Sequence, residues 1–120
     1  MKRDMDLIRL VLIQVEEGEA PEAMSHYTEE QILYHCGLTI EAGLVDGQVV
    51  KDRQGQIAGA AMQKLTWAGH DFLDTARSDT IWAKAKEKIL SVGGAWTLEL
   101  LKTVLLSEAK ASLGITLDSQ

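Results

Sequence analysis

The chain has 120 residues, of which 46% are hydrophobic and 25% are charged, and its formal net charge at pH 7 is −6. This length and composition indicate a folded domain and exclude a disordered chain, and the lack of a long uncharged apolar stretch excludes a membrane-spanning helix. The acidic balance also disfavours unspecific attraction to nucleic acid or to an anionic membrane surface.

The first predicted element is a helix from about Asp4 to Glu17, with Asp4 or Asp6 as its N-cap and Gly18 just after its end. Such a helix normally has one apolar stripe, but here apolar residues occupy most of the circumference: Met5, Leu7, Ile8, Leu10, Val11, Leu12, Ile13 and Val15. We therefore expect it to be covered on more than one side. The second cover is the fifth helix, in the same chain or across a two-fold axis, and we expect a homodimer.

A loop from Gly18 to Tyr27, with a short strand near Met24–Tyr27, separates the first helix from the second. Thr28 begins the second helix through a capping box with Gln31, and Gly43 ends it. The spacing of the apolar residues predicts a core stripe of Ile32, Leu33, Cys36 and Ile40.

The opposite face of the second helix carries the residues Gln31, Tyr34, His35, Leu38 and Glu41. Three interpretations of this face stay open. It is solvated or partly packed, it binds a protein partner through Tyr34 and Leu38, or it reads DNA. Tyrosine is enriched in the hot spots of protein interfaces. DNA reading is disfavoured because no cation accompanies these residues, while Glu30 and Glu41 repel phosphates.

The segment from Val45 to Leu65 is predicted to form a β-hairpin with strands at Val49–Val50 and Ile57–Leu65. Its polar tip is Lys51-Asp52-Arg53-Gln54-Gly55. Three cations of the hairpin are either solvated or contact DNA in the manner of a wing, and they are Lys51, Arg53 and Lys64.

Three helices are predicted after the hairpin. Thr66 caps the third helix, whose inward residues are Trp67, Phe72 and Leu73. The fourth begins at Asp79 or Thr80 and stops at Gly93-Gly94, and the fifth runs from about Thr97 to Leu113. Because tryptophan rarely stays exposed without a partner, we expect three such side chains to pack between the hairpin and the C-terminal helices: Trp67, Trp82 and Trp96.

This order of elements predicts a mostly helical α+β fold, a winged helix-turn-helix with a β-hairpin wing and two extra C-terminal helices. The predicted winged-helix domain covers residues 1–78, and residues 79–120 form a helical extension packed on it in a single compact unit. The segment Thr28–Val45, which ends in Glu41-Ala42-Gly43-Leu44-Val45, resembles the recognition helix of bacterial winged-helix repressors. The motif Leu65-Thr66-x-x-Gly69 resembles the end of a wing in the same superfamily.

Three further segments resemble one family of short bacterial and prophage proteins of unknown function. They are Met1–Ile8, Leu65–Asp74, and Thr80-Ile81-Trp82 with the Gly93-Gly94 break. The resemblance covers nearly the whole chain and implies a winged-helix fold in a phage or mobile-element setting, but no activity. The chain departs from that pattern in the second helix, where bulkier or basic residues are expected in place of Cys36, Gly37 and Thr39, and this departure weighs against DNA reading.

The distribution of charge also weighs against DNA reading. Between Leu10 and Val50 there are eight acidic residues and no lysine or arginine, although DNA-binding surfaces depend on such cations to neutralise phosphates. The histidines and the lone cysteine lack the spacing of zinc ligands, and no phosphate loop or nucleophile motif is present. We therefore expect no catalytic residue, no metal and no cofactor.

The resulting hypothesis is a cytoplasmic, non-enzymatic protein of phage or mobile-element origin that binds another protein or itself. The single Cys36 fits a reducing compartment, since no intramolecular disulfide can form. The first alternative is a DNA-binding transcriptional regulator that uses its wing together with the N-terminal cations Lys2, Arg3 and Arg9. The second is an acidic inhibitor that imitates nucleic acid and occupies a host protein. No membrane partner is expected.

Overall fold

A computed structural model describes residues 1–93 and 96–114, and these residues form a mostly helical α+β protein, as the sequence predicts. The helices are α1 (Met5–Glu17), α2 (Glu29–Glu41), α3 (Trp67–Ala76), α4 (Asp79–Ser91) and α5 (Leu98–Ser112). The strands are β1 (Val45–Lys51) and β2 (Ile57–Leu65), which pair as an antiparallel hairpin. Within the described ranges, none of the helices combines the length and apolar character needed to cross a membrane.

The chain divides into two compact units, Met1–Leu73 and Asp74–Gln120. The first contains α1, α2 and the hairpin, and the second contains α4 and α5. The division predicted at residue 78, and the packing of the second part on the first, stay predictions.

The ends of the first two helices follow the predicted capping chemistry. The Asp4 carboxylate accepts hydrogen bonds from the backbone N–H groups of Asp6 and Leu7, at 2.9 and 3.3 Å. Thr28 and Gln31 form the reciprocal capping box, in which each side chain accepts a hydrogen bond from the other residue's backbone N–H. These contacts are local in sequence, which is why the sequence pattern reveals them.

The predicted strand near Met24–Tyr27 is wrong, because a short 3-10 helix, Glu22–His26, occupies this segment. Its backbone is satisfied locally, since Met24 N–H donates to the Pro21 carbonyl and Tyr27 N–H donates to the Met24 carbonyl. Met24 is buried in a core cluster with Leu7, Leu10, Val11 and Cys36. The segment thus contributes an apolar side chain to the core without pairing in a sheet.

The hairpin occupies the predicted segment and β2 has the predicted bounds, but β1 is longer than the predicted Val49–Val50 and includes Lys51, which was assigned to the tip. Asp52 organises the turn, because its carboxylate accepts hydrogen bonds from the backbone N–H groups of Gln54 and Gln56, both at 2.9 Å. Gly55 adopts the left-handed conformation with φ 82°, which favours glycine. Two register shifts, between Asp46 and Gly47 and between Val50 and Lys51, interrupt the ladder.

The motif Thr66-x-x-Gly69 forms a junction between the end of α2, the end of the hairpin and the start of α3. The Thr66 hydroxyl donates to the Gly43 carbonyl at 2.6 Å and accepts from the Gly69 N–H at 3.0 Å. The Thr66 N–H donates to the Leu44 carbonyl at 3.0 Å. Thr66 therefore caps α3, as predicted, and also fastens this helix to the segment that follows α2.

The prediction that Trp67 faces the core is wrong, because its side chain is 84% exposed. Phe72 and Leu73 are buried as predicted, but they project about 140° and 120° away from Trp67 around the helix axis. A residue at the first position of α3 cannot share their face.

In the second unit, α4 and α5 pack through apolar residues that include Trp82, Ile89, Leu101 and Leu105, all of them buried. Trp82 is close to Trp96, with ring centroids 6.4 Å apart. The fourth helix begins at Asp79, as predicted, and Ser78 caps it, because the Ser78 hydroxyl accepts from the Ile81 N–H. Thr97 caps α5. Gly94, part of the predicted stop of α4, lies outside the described residues.

Candidate functional site

An open groove of about 630 Å³ lies between α2 and the tip of the hairpin. Its apolar lining comes from Met1, Leu33, Leu38 and Ile57. Its polar lining includes Glu30, Tyr34, Glu41 and Lys51. We call this feature the helix–hairpin groove. It brings together parts of two surfaces that the sequence analysis treats separately, the second-helix face and the wing.

Gly37 lets the hairpin approach α2 closely enough to form the groove. A Cβ atom at position 37 would overlap the Cδ1 atom of Ile57 and would lie 3.0 Å from its Cγ2 atom. The space that Gly37 leaves is therefore filled by the side chain that forms part of the groove lining. Glycine inside a helix costs about 1 kcal/mol relative to alanine, and here it is required by packing against Ile57.

The charged side chains that line the groove are two glutamates, Glu30 and Glu41, and one lysine, Lys51, so their summed charge is negative. The Nζ atom of Lys51 lies 2.9 Å from Oε2 of Glu41, with both side chains about half exposed. Lys51 is thus directed to a carboxylate of the same groove rather than free for a phosphate. Glu30 forms no ion pair with any described residue. The side chains that line the groove therefore carry an uncompensated negative charge at Glu30.

The predicted second-helix face is only partly present. Tyr34, Leu38 and Glu41 line the groove, while Gln31 caps the start of α2. His35 does not belong to this face, because its side chain is buried and only 1% exposed. The assignment of His35 to a partner-binding surface is therefore corrected to a structural role.

His35 joins the start of α1 to α2. Its Nε2 accepts a hydrogen bond from the Asp4 backbone N–H at 2.8 Å, and its Nδ1 lies 2.7 Å from the Gln31 carbonyl oxygen. The two contacts together require the neutral imidazole with its proton on Nδ1. By fixing Asp4 against α2, His35 also positions the N-terminal segment whose Met1 lines the groove.

The buried face of α2 differs from the predicted core stripe, because it is shifted around the helix axis toward the face that carries His35. Its buried residues are His35, Cys36, Gly37 and Thr39, whereas Leu33 and Ile40 are only partly buried. Thr39 is tolerated in the core because its hydroxyl donates to the Cys36 carbonyl at 2.7 Å. Polar groups satisfied in this way can be buried, and this rotation places Leu33 in the groove.

Burial raises the pKa of two groups in the same region. Burial raises the pKa of the Cys36 thiol, so the thiolate is disfavoured in the folded protein. The pKa of Tyr27 is raised by burial first, and then by the charge of Asp4 and the hydrogen bond that the Tyr27 hydroxyl donates to that carboxylate. Both groups are held in their protonated forms at neutral pH, and Cys36 in particular is an unreactive thiol while α2 stays packed.

The three predicted wing cations are separated from one another. Lys51 lies in the groove, and Arg53 is exposed in the turn. Lys64 is the cross-strand partner of Asp46 at the far end of the hairpin, roughly 23 Å along the strand from the tip. There it lines a second open pocket of about 560 Å³ beside Trp67. The hairpin therefore lacks one continuous basic surface.

Several groove residues were missing from the sequence-based site, above all Leu33, Ile57 and Met1. Leu33 is absent because its spacing assigned it to the core, and Ile57 because a strand residue cannot be matched to a helix face by periodicity alone. The glycine at position 37 was the available signal, since a glycine inside a helix often marks a close approach of another segment. Within residues 1–93 and 96–114, no group of three or more His, Cys, Asp or Glu side chains is arranged to hold a metal ion.

The elements and the groove thus define a mostly helical α+β protein with an acidic, partly apolar surface groove. The chain belongs to the family described as "Hypothetical protein (DUF2513)", whose model matches residues 2–95. It is 34% identical over 110 residues to a protein of Haemophilus influenzae (strain ATCC 51907 / DSM 11121 / KW20 / Rd) described as "Uncharacterized protein", covering 87% of this chain and 92% of the relative. No solved structure matches the chain. The resemblance to a family of unknown function is thereby confirmed.

Proposed function

We propose that this chain is a non-enzymatic winged-helix protein of phage or mobile-element origin, and that it acts by binding another protein through the helix–hairpin groove. In this interpretation α2 corresponds to the recognition helix and the hairpin to the wing. The element order supports the winged-helix assignment, with the hairpin directly followed by a helix capped at Thr66. The phage or mobile-element setting is what the sequence resemblance implies.

The observation that carries the proposal is the ion pair between Lys51 and Glu41. A winged-helix protein that reads DNA with this face needs cations directed at phosphates. Among the described residues that line the groove, the side-chain cation is Lys51, which is paired with Glu41, and Glu30 adds a charge that repels DNA. The apolar side chains of Leu33, Leu38 and Ile57, together with Tyr34, are instead suited to the centre of a protein interface.

The first test is binding of generic duplex DNA, measured by fluorescence anisotropy at low salt and then along a salt titration. We expect negligible affinity for the wild type and a clear gain when Glu29, Glu30 and Glu41 are all changed to lysine, because the triple variant replaces three repelling charges with attracting ones. The gain should fall steeply as salt is added. Tight wild-type binding at about 150 mM salt that Tyr34→Ala abolishes would contradict the proposal.

A second candidate function is DNA binding through the hairpin, and one observation favours it. Arg53 and Lys64 form no ion pair with any described residue, so both charges are available. In that case wild-type binding would be lost on Arg53→Ala or Lys64→Ala, while Tyr34→Ala would have little effect. The same anisotropy experiment therefore separates this function from the proposed one.

The second test addresses protein binding directly. Proteins captured from a bacterial host lysate by the wild type should be lost when Leu38→Glu places a charge in the apolar part of the groove. The matched control is Val50→Glu, which introduces the same charge at an exposed residue of β1 outside the groove. We expect the control to capture the same proteins as the wild type. Equal capture by Leu38→Glu and Val50→Glu would refute the groove as the binding surface.

A further inference from the structure

The outer face of α5 combines exposed leucines with unpaired lysines. Lys102, Leu106, Lys110 and Leu113 project within an arc of about 80° around the helix axis. Leu106 is 48% exposed and Leu113 is 76% exposed. Neither Lys102 nor Lys110 forms an ion pair with a described residue. We call these four residues the α5 face. Because it is apolar and basic, the surface that complements it is apolar and acidic.

The helix–hairpin groove has that complementary character. It offers Leu33, Leu38 and Ile57 as apolar contacts, and on α2 it carries the unpaired Glu30 together with Glu41, which is paired with Lys51. At about 1.5 Å per residue, the two glutamates are roughly 16 Å apart along α2 and the two lysines of the α5 face are roughly 12 Å apart along α5. A lysine side chain is long enough to span the difference between these two spacings. A helix that packs its apolar face into a groove is a recurrent mode of protein recognition.

We propose that the α5 face of one copy of this chain docks in the helix–hairpin groove of a second copy, with Lys110 facing Glu30. This inference rests on the proposed function of the groove as a protein-binding surface, and it names the partner. Each copy provides one groove and one α5 face, so in the proposed dimer the same contact is made twice, once in each direction. The contact also covers the exposed side chains of Leu106 and Leu113 and so reduces the apolar surface that α5 exposes.

Charge reversal at the two facing residues tests the docking. Size exclusion with light scattering at about 5–50 μM should give the wild type a mass that rises with concentration from 13.2 kDa toward twice that value. Glu30→Lys alone and Lys110→Glu alone should each weaken self-association by about tenfold, because each places like charges opposite one another. An equimolar mixture of the two variants should regain the wild-type mass, since one contact then has reversed charges and the other is native.

The matched controls change charge at exposed residues outside both surfaces. Glu29→Lys lies beside Glu30 without lining the groove, and Lys84→Glu lies on α4. Both should associate like the wild type. A wild-type mass that stays at 13.2 kDa, single variants no weaker than their controls, or a mixture that stays monomeric would overturn the docking. None of these results bears on the capture experiment with Leu38→Glu, so failure of the dimer and failure of the proposed function are told apart.

Discussion

Replacing Gly69 by alanine is expected to destabilise the first unit by about 3 kcal/mol, although alanine is the better helix former. A Cβ atom at position 69 would overlap the carbonyl oxygen of Leu44 and would lie 3.0 Å from the carbonyl carbon. Both atoms belong to the backbone, and Leu44 is only 1% exposed. No side chain can rotate away to make room, so α3 or the segment after α2 must move.

The movement would disrupt the junction around Thr66. The same Leu44 carbonyl accepts the Thr66 N–H, and the Gly69 N–H donates to the Thr66 hydroxyl. A shift of α3 away from Leu44 therefore strains the cap of α3 and the bond from the Thr66 hydroxyl to the Gly43 carbonyl together. Hydrogen bonds lost at this junction add to the steric cost.

Two other glycines provide a graded control for the same chemical change. Gly59→Ala should be neutral or slightly stabilising, because the new Cβ would lie at an ordinary 3.6 Å from the Cβ of Val50. Gly37→Ala should have an intermediate effect, since it meets the end of the flexible Ile57 side chain rather than backbone. Urea unfolding followed by circular dichroism measures the series. The steric explanation would be contradicted if Gly69→Ala were no less stable than Gly59→Ala.

Replacing His35 by alanine is expected to cost about 2–4 kcal/mol. The change empties a buried site in α2 and removes the acceptor of the Asp4 N–H. Asp4 is also the N-cap of α1 and the acceptor of the Tyr27 hydroxyl, so its position affects two elements. Loss of the His35 contact should therefore loosen the start of α1 as well as α2.

Glutamine at position 35 is the matched variant, because its side-chain oxygen can accept the Asp4 N–H in place of Nε2. His35→Gln should recover part of the stability that His35→Ala loses. Cys36 gives a local readout of the same region, since it is the only cysteine of the chain and is buried in the first unit. Its reaction with a thiol reagent should be faster in His35→Ala than in His35→Gln. Equal stability and equal thiol reactivity of the two variants would show that the hydrogen bond to Asp4 is unimportant.

The sequence by itself determined the features of this protein that depend on neighbouring residues. The N-caps Thr28 and Thr66 were predicted, Asp4 was one of the two N-caps predicted for the first helix, and the Gly-containing tip of the hairpin was predicted as well. In each case the residues that make the contact lie a few positions apart, so their spacing encodes the structure. The family and the mostly helical α+β class follow from the same local patterns taken together.

Only the tertiary structure decided which faces are buried and where the groove lies. His35 was expected on the face opposite the core and Thr39 was not assigned to the core. Both are buried, because hydrogen bonds to backbone groups compensate their burial. The hydrogen bond from Asp4 to His35 spans 31 positions, and no periodicity within α2 reports it.

The groove also could not be predicted from the sequence of each element alone. The pairing of Lys51 with Glu41 removes a cation from the predicted wing, and the approach of Ile57 to Gly37 adds an apolar contact to the helix face. Both depend on the hairpin folding back over α2. Helix and strand periodicities describe each element separately. A binding surface built from two elements depends on how they pack, and the periodicity of neither element predicts that packing.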